Sequence, residues 1–136
     1  SRVTLSDPCE VMISSAHPLA EKKVINPRDL KGIPIVLNRA QDTQPSAGQI
    51  AGMYANMGLS ENKRMYADDF YSIALIINTG IAFSIMPASI VHWGIEGVVF
   101  RPIQGFKAKA RTLLVYPRGS QDPGIQSFVS LVKPKY

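Results

Sequence analysis

The feature that most constrains this chain is a repeated switch between strand-length apolar runs and helical stripes of period 3.6, each switch marked by glycine or proline. Residues 10–16 (EVMISSA) predict a strand, closed at His17-Pro18 because proline lacks a ladder donor and restricts the residue before it. A helical turn is expected over 26–30, with Asn26 as its N-cap and Pro27 at the first helical position, ending at Gly32. Residues 33–38 (IPIVLN) then form a short apolar run suited to a buried strand. The polar stretch RAQDTQPSAG (39–48) leads into a helix whose stripe is Ile50, Met53, Tyr54 and Met57, with Gly58 as its natural stop. Residues 63–67 predict the next strand. Asp68 or Asp69 can cap a helix running to Asn78, with Phe70, Ile73, Ala74 and Ile77 facing inward.

Gly80 stops that helix, and 81–86 (IAFSIM) read as another buried strand ended by Pro87, with a short helix over 88–93. Two more strands are expected at 98–103 and 110–116, then a terminal helix over 124–133 carrying Ile125, Phe128, Val129 and Val132 on one side. Parallel neighbours need crossover connections, so this βαβαβαβ alternation predicts an α/β fold with a largely parallel central sheet flanked by helices. With 136 residues and 46% hydrophobic content, one compact domain is expected.

Composition narrows the function classes. No apolar run approaches the roughly 20 residues of a membrane span, and the N-terminus SRVTLSDPCE lacks a signal core, so no membrane association is expected. Cys9 has no second cysteine to pair with, and His17 and His92 make no zinc cluster with it, so neither a metal nor a cofactor is expected. A reducing cytoplasm is the simplest setting. The net charge of +5 is uneven: residues 1–97 carry eight basic and nine acidic residues, whereas 98–136 carry seven basic residues against Asp122 alone. There the basic residues alternate with apolar ones around predicted strands, as on the solvated face of a sheet rather than on a nucleic-acid surface.

In open α/β sheets ligands bind beyond the carboxyl ends of the strands, often at a helix N-terminus. One such junction gathers Asn38, Arg39, Gln41, Thr43 and Ser46, which could hold a carboxylate or small oxyanion. A plainer reading has Thr43 or Ser46 capping the helix while Arg39 sits in solvent. Asp68 and Asp69 mark the second junction, where capping is again the plainer reading. No catalytic constellation emerges: a predicted strand separates Cys9 from His17, and there is no phosphate-binding glycine loop. Residues 47–68 can pass for a helix-turn-helix, but ENKRMYADD lacks the apolar spacing of a packed recognition helix.

Several ordered marks then stand out: HPLA at 17–20, DL at Asp29-Leu30 before PIVLN, NMGL at 56–59, and NTGIAFSIMP at 78–87, followed by ARTLLVYPR and an amphipathic helix. In this order they resemble the C-terminal half of the effector-binding domain of LysR-type transcriptional regulators, over residues 10–133. NTGIAFSIMP is similar to that family's AGLGIALLP pattern, with Ala82 standing where the second glycine would be.

The resemblance implies a periplasmic-binding-protein-like (type 2) fold of two subdomains with a small-molecule site in the cleft between them. Residues 14–101 would form the second subdomain and 102–136 the segment returning to an incomplete first, whose other half would precede Ser1. It further implies a non-enzymatic domain that binds a small anionic or polar effector and acts within a homo-oligomer, with DNA held only by an N-terminal winged helix-turn-helix absent from this chain. Thr43 is the best-matched ligand contact, with Asn38, Arg39 and Gln41 as neighbours and Asp68 from the next loop. A periplasmic-type solute-binding receptor would share the fold, and an enzyme on the same scaffold is a third reading.

Overall fold

A computed structural model describes residues 2–39, 47–106, 109–114, 119 and 121–131. Its strands are β1 (Arg2–Ser14), β2 (Ile35–Asn38), β3 (Arg64–Ala67), β4 (Ser84–Pro87), β5 (Val98–Arg101) and β6 (Lys109–Leu114). The α-helices are α1 (Ala47–Asn56), α2 (Phe70–Asn78) and α3 (Pro123–Leu131), joined by 3-10 turns at Pro18–Glu21, Pro27–Leu30 and Ala88–Trp93. Elements therefore follow the expected order. The strand expected at 10–16 is the second half of a longer one.

The strands form a four-stranded antiparallel sheet (β4-β1-β5, with β6 on β1) and a two-stranded parallel one (β2-β3), which corrects the expectation of a largely parallel sheet. Crossovers through α1 and α2 do set β2 parallel to β3, in the register Ile35↔Arg64 to Asn38↔Ala67, and bridge Ile35 to Phe83 in parallel just before β4. The Val36 N–H donates to the Phe83 carbonyl at 2.9 Å, and the Phe83 N–H donates to Pro34 at 3.0 Å. β1 runs the other way. It lies between β4 and β5 and pairs antiparallel with both, as in Cys9↔Pro87 and Met12↔Phe100. Its first half, Arg2 to Pro8, pairs antiparallel with β6. The alternation counts crossovers and so finds the parallel pairs, but carries no information on the direction of the strand inserted among them.

Side chains alternate across β1 and β2, and both faces of the sheet are covered. Val11, Ile13, Ile35, Leu37 and Phe83 pack with Tyr54 and Met57 of α1 on one side. On the other, Met12 and Val36 meet Ile73, Ala74 and Ile77 of α2, together with Ala82. This two-sided burial explains why IPIVLN and IAFSIM are nearly continuous apolar runs. Ala82 is fully buried, so its methyl fills core space where the family pattern has glycine.

Local details support the same frame. Asn26 caps the turn at Pro27–Leu30 in a reciprocal box with Asp29, whose carboxyl is held below its usual range chiefly by the Lys22 ammonium 2.7 Å away. The buried Asn62 amide donates to the carbonyls of Leu30 and Ile33 at 2.7 and 2.9 Å, pinning the approach to β2. Gly97 has φ +82°, and a Cβ there would collide with the Asn78 side chain. Among the described residues no helix is long and apolar enough to cross a membrane.

Candidate functional site

The carboxyl ends of β2 and β3 lie side by side because Asn38 pairs with Ala67. The next residue on each strand is then brought to its counterpart: Arg39 Nη1 donates to Asp68 Oδ1 at 2.9 Å. Two residues that sequence spacing put on separate loops thus form one cluster, with the half-buried Asn38 at its base. Gln41, Thr43 and Ser46 lie outside the described residues. Both side chains of the ion pair are largely in solvent, 62% exposed for Arg39 and 74% for Asp68. Exposed pairs of this kind contribute only about 0–1 kcal/mol, so a bound anion can replace Asp68 on Arg39 at small cost.

Asp69, not Asp68, caps α2. Its carboxylate accepts from the Ser72 backbone N–H at 2.8 Å, and that hydrogen bond is the main reason its carboxyl lies below the usual range. The division of labour is clear: Asp69 belongs to the helix, and Asp68 is left to face Arg39.

Beside this cluster the sheet and α1 enclose a cavity of about 200 Å³. Its walls are Leu37 at the end of β2, Ile50 and Met53 from α1, Met86 and Pro87 from β4, and Cys9 from β1. Two hydroxyls reach it, and both are engaged within the protein. Ser84 donates to the Val36 carbonyl at 2.8 Å. Burial pushes the Tyr54 hydroxyl up to about pKa 12, opposed by its hydrogen bonds with the Ile85 backbone and the Ser84 side chain. Tyr54 is therefore a neutral structural group at physiological pH, and among the described residues the other side chains of the wall are apolar or sulfur-bearing.

Sequence reasoning missed this cavity. Met53 and Tyr54 were legible as an inward stripe, but Cys9, Leu37, Met86 and Pro87 come from three strands whose adjacency depends on pairing. A larger recess of about 600 Å³, lined by Lys31, Gly32, Gly58, Glu61 and Lys63, opens at the amino ends of β2 and β3. That is the end of the strands at which open α/β sheets do not place ligands, so the smaller cavity is the better candidate.

The other singled-out groups have structural employment. His17 caps its turn, Nδ1 accepting from the Leu19 N–H at 3.0 Å. Asp7 accepts from the Ser89 N–H at 3.0 Å, tying β1 to the turn after β4. Glu10 has its carboxyl raised by burial and by the nearby Asp7, with Arg101 opposing. Among the described residues no cluster of three or more His, Cys, Asp or Glu could hold a metal ion.

A family model described as the LysR substrate binding domain matches residues 1–136. The Hca operon transcriptional activator HcaR of Escherichia coli (strain K12) is 22% identical over 129 residues, which span 95% of this chain and 44% of that protein. The chain thus spans less than half the length of this curated relative. Among solved structures, full-length CbnR complexed with its target DNA superposes with a TM-score of 0.77 at 18% identity, covering 96% of this chain and 44% of that one. The effector-binding domain of QuiR in complex with shikimate gives 0.69 at 18% identity, covering 94% and 60%.

Proposed function

Because the chain belongs to the LysR substrate binding domain family, we propose that it supplies the effector-holding second subdomain of a cytoplasmic transcriptional regulator and catalyses no reaction. The observation that carries this reading is the convergence of Arg39 and Asp68 at the carboxyl ends of β2 and β3, beside an apolar cavity. An unengaged guanidinium edge and an easily displaced carboxylate suit recognition of a small anionic effector. Asn38, Gln41, Thr43 and Ser46 would complete the polar side of the site.

The pairing of β1 supports a division into two subdomains. Residues from Cys9 onward pair with β4 and β5, while those before it pair only with β6. Val11, Met12 and Ile13 are fully buried in the same core, which supports counting them with the second subdomain of residues 14–101. Residues 102–136 would return to the first subdomain. Effector binding would change the relation between the two and so bias the DNA-binding heads of a homo-oligomer. The family match and the transcriptional relatives favour this reading over a periplasmic-type receptor.

The test is calorimetric titration of this chain with a panel of small carboxylates. Arg39→Ala is expected to weaken the best binder about tenfold, the scale of one charge-assisted hydrogen bond. Asp68→Asn should tighten it by removing the competitor. If Arg39→Ala leaves every affinity unchanged, the site is elsewhere.

A further inference from the structure

We infer that the effector is an anion carrying a compact apolar ring, with the ring seated in the cavity between α1, β2 and β4 and the charge held at Arg39. The inference rests on the effector-site reading above and adds the chemical class of the ligand.

Three properties of the cavity lead to it. The first is size: a dry cavity of roughly 150 Å³ lined by aliphatic and aromatic groups is enough to take up benzene, and this one measures about 200 Å³. A six-membered ring fits. The second is polarity. Ser84 spends its donor on the Val36 carbonyl, and the Tyr54 hydroxyl is engaged with Ile85 and Ser84. A polyhydroxylated ligand body would bury its own hydroxyls against Leu37, Ile50 and Pro87, each hydroxyl without a partner there losing its bond to water uncompensated. The third is the wall itself. Cys9, Met53 and Met86 bring three sulfur atoms to one small space. Thioether side chains adapt to the shape of a guest and make favourable contacts with ring edges.

The cavity and the charge are within one ligand's reach. Leu37 is a wall residue and Arg39 follows two residues later, about 7 Å further along extended backbone. A ring with a directly attached or one-carbon-removed carboxylate spans that interval.

The probes are benzene, benzoate and acetate, added to this chain and read by the methionine methyl signals in carbon–proton NMR. Benzene is expected to shift the Met53 and Met86 methyls while leaving Met65 in place. Benzoate should produce the same shifts at concentrations at least tenfold lower, and acetate should not produce them. In Arg39→Ala the advantage of benzoate over benzene should disappear. Met53→Trp, which fills the cavity, should abolish the benzene response, and Ile50→Phe serves the same purpose if that variant does not fold.

Absence of a benzene response at Met53 and Met86 would overturn the inference while leaving an anion site at Arg39 standing if acetate binds there. A benzene response with benzoate no tighter would separate the cavity from the charge and also overturn it. If neither carboxylate binds, the effector-site reading falls as well.

Discussion

Residues 9–103 and the helix α3 are written in the same vocabulary of apolar runs and amphipathic stripes, yet among the described residues only the first closes a core. In the first region both faces of the sheet are covered, and Met12, Ile13, Phe83 and Ile77 are wholly buried. In the second, α3 buries no residue: Phe128 is 59% exposed and Leu131 77%, although Ile125, Phe128 and Val129 form the stripe expected of an inner face. An amphipathic stripe specifies that a helix wants a partner surface; it does not supply one. The surface that would cover α3 is not among the described residues.

The contrast can be broken most forcefully by truncating one aromatic side chain in each region. Phe83→Ala should cost about 3–5 kcal/mol in chemical denaturation, the range for removing a buried phenyl ring. Phe128→Ala should stay within about 0.5 kcal/mol, as for an exposed site. Similar losses at the two positions would mean that α3 is packed after all.

A second prediction concerns association. Exposed apolar side chains on α3 should drive self-association at high concentration, so light scattering should report species larger than the monomer. The pair Phe128→Glu and Leu131→Glu should restore the monomer with little change in unfolding midpoint. A wild-type chain that stays monodisperse would deny the stripe any need of a partner.

The smallest effect belongs to the junction between the regions. Glu10 has a folded-state pKa raised by burial and Asp7, so through that interval the native state holds more protons than the unfolded chain. Stability from this group therefore falls as pH rises from the ordinary carboxylate value through the raised one. Glu10 is mostly solvated, and screening keeps the effect small. Glu10→Gln should stabilise the protein by no more than about 0.5 kcal/mol at neutral pH and flatten the profile just above the ordinary carboxylate range. A steeper decline in the variant would reverse the assignment.

Legibility in the sequence followed the range of the interactions. The cap at Asn26, the inward stripe of α2 and the glycine stops at Gly58 and Gly80 are local, and residue order alone predicted them. Strand direction is not local. β1 was expected only from residue 10, yet Asp7 is buried and bonds to the turn after β4, and Pro8 faces Lys109 in an antiparallel pair. Arg39 and Asp68 were each visible as candidates, but their meeting depends on the β2–β3 register, and the cavity beside them on the adjacency of β1, β2, β4 and α1.

Hydrogen exchange followed by mass spectrometry tests the division most directly, because protection reports the free energy of opening segment by segment. Peptides covering 9–14, 35–38 and 70–78 should exchange together at the slow, global rate, while those covering 121–131 exchange orders of magnitude faster. Equal protection across all of these peptides would contradict the contrast between the closed core of residues 9–103 and the exposed α3.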